Sequence, residues 1–129
     1  MNVIRDRLCL EGFRCVRHLG SVEDVYTFLE ALSYAAGMRV LVPPVVVRVP
    51  VVNAAAQIET KTDWGISGSI IWLESGAMIH TWPEEGFAAL DMFSCKAFNH
   101  DVVEDLFRKM FSPARVDRME SVRLGDDSD

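Results

Sequence analysis

The sequence has no long hydrophobic run and no excess of basic residues. Its longest apolar stretch, residues 40–52, is interrupted by Arg48 and by prolines, and it falls short of the roughly 18 apolar residues of a membrane span. The formal net charge is -6, with 13 Lys and Arg against 19 Asp and Glu. Since nucleic-acid-binding domains usually carry a basic patch, we expect neither a membrane span nor a nucleic-acid partner.

Cysteine is also scarce, with only Cys9, Cys15 and Cys95 in the chain. None of the spacings between them is typical of a metal-binding pair, and an odd number favours reduced thiols over a disulfide framework. The N-terminus carries Arg5 and Arg7 without the apolar segment of a secretory signal. We therefore expect a cytoplasmic protein without a metal site.

Half of the 129 residues are hydrophobic, which suits one domain over 1–129 with one core. The helix over 21–37 has explicit end signals, because Ser21 and Asp24 form a capping pattern and Gly37 is a natural stop. The other predicted elements are a strand at 8–10, extended segments at 38–42 and 45–49, strands at 66–73, 77–82 and 87–94, and a helix at 101–111. Residues 52–62 fit either a loop or a strand pair, and 114–129 are expected to form a flexible tail.

This order of elements predicts an α+β fold of the two-layer sandwich type, with an antiparallel sheet and two helices on one face. The opposite face of the sheet then needs a cover. In so small a chain, a second copy of the same chain is the expected cover.

Three consecutive motifs resemble the S-adenosylmethionine decarboxylase family, in its small prokaryotic, pyruvoyl-dependent form. The motifs are Ile79-His80-Thr81-Trp82-Pro83-Glu84, Gly86-Phe87-Ala88-Ala89 and Asp91-Met92-Phe93-Ser94-Cys95. Family members carry a serine five positions before the histidine, a cysteine twenty after that serine and a second serine eight before it. Ser75, Cys95 and Ser67 occupy these positions.

The resemblance implies a proenzyme that cleaves itself between Glu74 and Ser75. The products would be a β chain, 1–74, and an α chain, 75–129, whose first residue becomes a covalent pyruvoyl group derived from Ser75. Such a group replaces pyridoxal phosphate as electron sink, forms a Schiff base with the substrate amine and needs no metal. The implied reaction converts S-adenosylmethionine to its decarboxylated form, the aminopropyl donor of spermidine and polyamine synthesis.

The resemblance also assigns roles to individual side chains. His80 would act as the acid and base of self-cleavage, Ser67 would hold the carbonyl, and Cys95 would donate a proton to the substrate carbon. Each of these residues also has an ordinary structural explanation, as a strand or core residue. Four further side chains are candidate substrate contacts, namely Glu11, Phe13, Trp82 and Glu84.

One departure from the family lies beside the predicted cleavage site. Gly76-Ala77-Met78 stands where the family usually has histidine after the serine and a hydroxyl residue further on. This leaves a pyruvoyl-dependent arginine or ornithine decarboxylase, or a non-processing regulatory homologue, as alternatives. The family further implies a homodimer in which both copies contribute to each active site.

Overall fold

The computed structural model describes residues 2–49 and 64–126. In that part of the chain the elements are β1 (Asn2–Phe13), α1 (Val22–Ala36), β2 (Val40–Val49), β3 (Gly65–Trp72), β4 (Ser75–Trp82), β5 (Phe87–Ser94), α2 (His100–Phe111) and β6 (Arg115–Asp126). The strands form one antiparallel sheet in the order β2-β3-β4-β5-β1-β6. The predicted α+β class with an antiparallel sheet is confirmed.

Both helices begin and end where local sequence signals place them. The Ser21 side chain accepts a hydrogen bond from the Asp24 amide at 3.1 Å, and Gly37 ends α1 in the left-handed region with φ of 67°. In α2, the Asn99 side chain accepts from the Val102 amide at 3.1 Å, so the helix begins one residue earlier than predicted. Local capping therefore accounts for both helix positions.

The core lies between the helices and one face of the sheet. The two helices meet through Phe28 and Phe111, whose ring centroids are 5.1 Å apart. The indole of Trp72 reaches across from β3 and donates to the Ser33 hydroxyl of α1 at 2.7 Å. The fully or nearly fully buried strand residues on this face include Leu8, Leu10, Ile66, Ile70, Ile79, Leu90 and Met92. Their alternation along each strand gives the sheet one buried face.

We call the opposite side of the sheet the open face. It carries the odd-numbered residues of β1, β3, β5 and β6 and the even-numbered residues of β4. Ile71, Met78 and Phe93 are exposed there by 51%, 50% and 42%. No helix of the described chain covers this face, so its larger apolar side chains meet solvent in a single chain.

The expected flexible tail over 114–129 is wrong for most of its length. Residues Arg115–Asp126 form β6, which pairs with β1 along the whole strand from Phe13↔Arg115 to Asn2↔Asp126. The charged side chains that suggested a tail form ion pairs, some with α2 and some within β6. Arg118, for example, bonds Asp101 of α2 at 2.8 Å and Glu120 at 2.6 Å. Residues 127–129 lie outside the described part.

Two strands on the N-terminal side are longer than predicted. β1 covers Asn2–Phe13 rather than 8–10, because pairing with β5 on one side and β6 on the other extends it. The two extended segments at 38–42 and 45–49 join into the single strand β2, with register shifts on both sides of Val42. The unassigned segment 52–62 lies outside the described residues.

Candidate active site

The predicted cleavage bond lies at one end of the sheet, in the tight connection between β3 and β4. Glu74 adopts a left-handed backbone conformation with φ of 59°, which is uncommon for a residue with a side chain. Ser75 is the first residue of β4 and is buried, with 9% exposure. Its hydroxyl lies 3.3 Å from the Leu73 carbonyl oxygen and 3.5 Å from the Met38 sulfur. The turn therefore holds the serine hydroxyl beside the main chain of Leu73, one residue before the predicted bond.

Cys95 lies next to this bond because β5 ends where β4 begins. Ser75 pairs with Ser94 across the two strands, and Cys95 follows directly. The Cys95 amide donates a hydrogen bond to the Glu74 carbonyl oxygen at 3.3 Å. The predicted serine, the predicted cysteine and the carbonyl between Glu74 and Ser75 thus meet at one end of the sheet.

Ser67 and His80 form a second pair, on the open face. They are register partners on β3 and β4, and the Ser67 hydroxyl shares a 2.8 Å hydrogen bond with Nδ1 of His80. The imidazole also lies 5.9 Å from the Trp82 ring, centroid to centroid. The imidazole thus contacts both the Ser67 hydroxyl and the Trp82 ring.

The two pairs do not meet within one chain. Ser75 and His80 are five residues apart on the same strand, which at the usual rise of a strand separates them by about 16 Å. Five is an odd number, so the Ser75 side chain lies on the helix side of the sheet and the His80 side chain on the open face. A single chain therefore holds the predicted site in two separate halves.

Two of the four candidate substrate contacts lie in one aromatic cluster on the open face. The Phe87 ring packs between Phe13, at 5.3 Å, and Trp82, at 5.4 Å. The Arg115 guanidinium lies over the Phe13 ring at 4.1 Å. This cluster lies toward the end of the sheet opposite Ser75 and on the His80 side.

The two acidic candidates lie on either side of this cluster. Glu11 pairs with Ala89, which pairs with His80, so the carboxylate lies in the same cross-strand row as the histidine. Glu84 lies in the turn after β4, where it accepts a 3.4 Å hydrogen bond from the Trp64 indole. Both acids are near the His80 half of the site rather than the Ser75 half.

Comparison with known proteins decides the family. The family model described as S-adenosylmethionine decarboxylase matches residues 6–124. The chain belongs to the S-adenosylmethionine decarboxylase family. The match spans both halves of the candidate site, from β1 through the turn at Glu74 to β6.

Individual members of the family match over a shorter segment. The S-adenosylmethionine decarboxylase proenzyme of Thermomicrobium roseum is 42% identical over 60 residues, which are 46% of this chain and 52% of the relative. That of Thermotoga maritima is 48% identical over 60 residues, covering 37% of this chain and 46% of the relative. The chain thus spans about half the length of the curated relatives that it matches.

A solved structure of the family has the same fold. The adenosylmethionine decarboxylase of Aquifex aeolicus superposes with a TM-score of 0.68, covering 92% of this chain and 89% of that one. The sequence identity is 18%, so the likeness concerns the fold alone.

An ion pair that no sequence motif marks lies in the middle of the open face. Arg7 donates to both carboxylate oxygens of Asp91, from Nη2 at 2.8 Å and from Nε at 3.2 Å, and the Cys9 thiol lies 3.4 Å from Oδ1. The hydrogen bond from Arg7 lowers the pKa of Asp91, and burial raises the pKa of the Cys9 thiol. Asp91 is an ordinary strand residue inside a motif, whereas Arg7 and Cys9 lie on β1, far from the motifs in sequence. Only the register of β1 against β5 brings them together.

The ion pair predicts how acid affects stability. The folded-state pKa of Asp91 is lowered, so its contribution is present above the unfolded value of about 3.9 and is lost as the pH falls through the folded-state pKa. We expect Asp91→Asn to be less stable than the parent at pH 7, with the difference shrinking below about pH 4. Urea unfolding at pH 7 and pH 3 measures it. Asp105→Asn, on the exposed surface of α2, is the control and should show no such convergence.

Within residues 2–49 and 64–126, no group of three or more His, Cys, Asp or Glu side chains is arranged to hold a metal ion. Neither of the two helices in this part of the chain is long and apolar enough to cross a membrane.

Proposed function

We propose that this chain is a proenzyme that cleaves itself at Glu74-Ser75 and then decarboxylates S-adenosylmethionine. The observation that carries the proposal is the sheet end where Ser75, Cys95 and the Glu74 carbonyl meet. Membership of the family supports the same reaction.

Self-cleavage uses the chain's own atoms. The Ser75 hydroxyl attacks the Glu74 carbonyl, the peptide C–N bond breaks, and an ester joins the two residues. Loss of the Ser75 α-proton then expels the Glu74 carboxylate by β-elimination. The remaining unsaturated residue takes up water and releases ammonia, which leaves a pyruvoyl group at the start of 75–129. The left-handed Glu74 supports the first step, because a strained turn is relieved when its peptide bond breaks.

The surroundings of Ser75 fit a small uncharged group. The residue is buried, and the Met38 sulfur and the Leu73 main chain lie within 3.5 Å of its hydroxyl. When formed, a pyruvoyl group supplies the electron sink that decarboxylation of an amino acid needs. Cys95 follows the register partner of Ser75, and this position suits a thiol that protonates the substrate carbon.

A second copy is needed to bring His80 and Ser67 to the cleavage bond. In one chain His80 is about 16 Å along β4 from Ser75 and on the other face, and Ser67 lies beside His80 on β3. A hollow of about 590 Å³ on the open face reaches Ser75 and Gly76 and is bordered by Met78 and Phe93. We infer that two copies stack their open faces about a two-fold axis, which would place the histidine half of each chain over the hollow that reaches Ser75 and Gly76 in the other.

The aromatic cluster favours S-adenosylmethionine over a basic amino acid. Trp82 and Phe87 offer aromatic faces for adenine, whereas Arg115 already lies over the Phe13 ring. Aromatic faces also attract a sulfonium cation. Glu11 and Glu84 add negative charge nearby. Arginine and ornithine have no adenine-like ring that would use this cluster.

The substrate assay separates the candidate activities. Cleaved protein is incubated with S-adenosylmethionine, arginine or ornithine labelled in the carboxyl carbon, and released carbon dioxide and the amine product are both measured. We expect product from S-adenosylmethionine. Turnover of arginine or ornithine instead would replace the proposed substrate, and an uncut chain inactive on all three would indicate a regulatory homologue.

The cysteine variant separates self-cleavage from turnover. Cys95→Ala keeps the main-chain amide that binds the Glu74 carbonyl, so we expect cleavage to proceed while kcat falls about 10²- to 10⁴-fold, the usual effect of losing a proton donor. Gel analysis of the fragments and steady-state kinetics measure the two effects. Cys9→Ala, which removes a different thiol, is the control; an equal loss there would argue against a specific role for Cys95.

We also propose that the enzyme acts in polyamine synthesis, in the cytoplasm. The product of the reaction is an aminopropyl donor of the kind that spermidine synthesis consumes. All three thiols are free, which suits a reducing compartment.

A further inference from the structure

Two basic side chains line a small cavity beside the predicted cleavage bond. The cavity measures about 200 Å³, and its walls include Arg39, Glu74, Cys95 and Lys96. Arg39 comes from the connection between α1 and β2, and Lys96 follows the end of β5. The self-cleavage mechanism uses neither of them.

Main-chain hydrogen bonds position both residues at this cavity. The Arg39 carbonyl accepts a 2.9 Å hydrogen bond from the Leu73 amide, one residue before Glu74. The Lys96 ammonium donates to the Gly37 carbonyl at 2.9 Å, at the C-terminal end of α1. Because an ammonium group has three N–H donors, this contact leaves two for another acceptor. Among residues 2–49 and 64–126, no ion pair joins Arg39 or Lys96 to an acidic side chain.

Self-cleavage would change the charge of this cavity. In the uncut chain the Glu74 carbonyl is a neutral amide oxygen that accepts from the Cys95 amide at 3.3 Å. After β-elimination the same oxygen belongs to a terminal carboxylate, and Glu74 then carries two negative charges. A hydrogen bond to a charged acceptor is roughly twice as strong as one between neutral groups. The donor that binds the carbonyl in the proenzyme is thus already in place for the product.

We propose that Arg39, Lys96 and the Cys95 amide form a carboxylate-binding site for the new C-terminus of residues 1–74. This inference rests on the proposed self-cleavage. The two cations offset the charge that cleavage creates beside a buried group, and the amide fixes the position of one oxygen. The bound terminus stays next to Ser75 and Cys95 and closes the cavity wall that the cut would otherwise open.

Carboxypeptidase digestion of the cleaved protein tests the site without using enzyme activity. Removal of Glu74 from the 1–74 fragment is followed by intact mass in the parent, in Arg39→Ala, in Lys96→Ala and in the double variant. We expect the double variant to lose Glu74 at least about 10-fold faster than the parent, the effect of losing a charge-assisted hydrogen bond. High salt should speed trimming in the parent by screening the same contacts.

Matched variants distinguish the loss of a positive charge from a general destabilisation of the fold. Lys109→Ala, an exposed lysine on α2, should leave the trimming rate unchanged. Lys96→Arg should retain protection, whereas Lys96→Gln should lose it. Equal trimming rates in the parent and in the double variant, with cleavage complete in both, would overturn the carboxylate site and leave self-cleavage standing. A chain that never cuts would overturn both, because no new terminus would exist.

Discussion

Ser75→Ala is expected to remain one uncut chain of 129 residues with no decarboxylase activity. Alanine lacks the hydroxyl that attacks the Glu74 carbonyl, so neither the ester nor the pyruvoyl group can form. Electrophoresis under denaturing conditions shows the uncut chain, and carbon dioxide release from labelled S-adenosylmethionine measures activity. The loss should be complete, because the electron sink itself is absent.

Ser69→Ala is the control for this experiment. Ser69 is a strand serine on the open face of β3, two residues from Ser67 in sequence, and we assign it no role. It should cut and turn over like the parent. Cleavage of the Ser75→Ala chain at residue 74 would contradict the proposed nucleophile.

His80→Ala is expected to slow self-cleavage by about 10²- to 10⁴-fold, because it removes the general acid and base. The more informative experiment combines two inactive chains. When His80→Ala and Ser75→Ala chains are co-expressed with different tags, a mixed dimer contains one intact site, with Ser75 from the first chain and His80 from the second. We expect the His80→Ala chain to be cut in that mixture. Tagged fragments on a denaturing gel measure it.

The partner chain supplies the control for this second experiment. A Ser75→Ala/His80→Ala double variant forms the same mixed dimer but lacks the histidine, so it should give no rescue. If cutting of the His80→Ala chain is no faster with the Ser75→Ala partner than with the double variant, His80 does not act across the dimer. The two-copy site would then be wrong, although Ser75 could still be the nucleophile.

The helices were predictable because their signals are local. Ser21, Asp24 and Gly37 lie at the ends of α1 and act on the backbone of the same helix. β6 was missed because its signal is not local. Its charged residues find partners on α2, and its backbone pairs with β1, which is more than 100 residues away in sequence at every pair. Because these partners lie elsewhere in the chain, the composition of the segment alone resembles that of a flexible tail.

The candidate site was predictable in part. The turn at Glu74 and the end of β5 follow from the predicted strands, so the closeness of Ser75 and Cys95 agrees with the sequence. The separation of His80 from Ser75 was not predicted, because the predicted strand began at 77. Only the observed start of β4 at Ser75 puts both residues on one strand, an odd number apart and therefore on opposite faces. Arg39 and Lys96, in contrast, are brought to one cavity by the packing of α1 on the sheet. No sequence motif includes them.

The intact mass of the purified, denatured protein tests the central claim most directly. We predict two chains that separate between Glu74 and Ser75, the second lighter by one ammonia than a chain beginning with serine. That deficit identifies a pyruvoyl group and leaves only the substrate to be assigned. A single chain with the mass of all 129 residues, unchanged over days at neutral pH, would contradict the self-cleaving proenzyme.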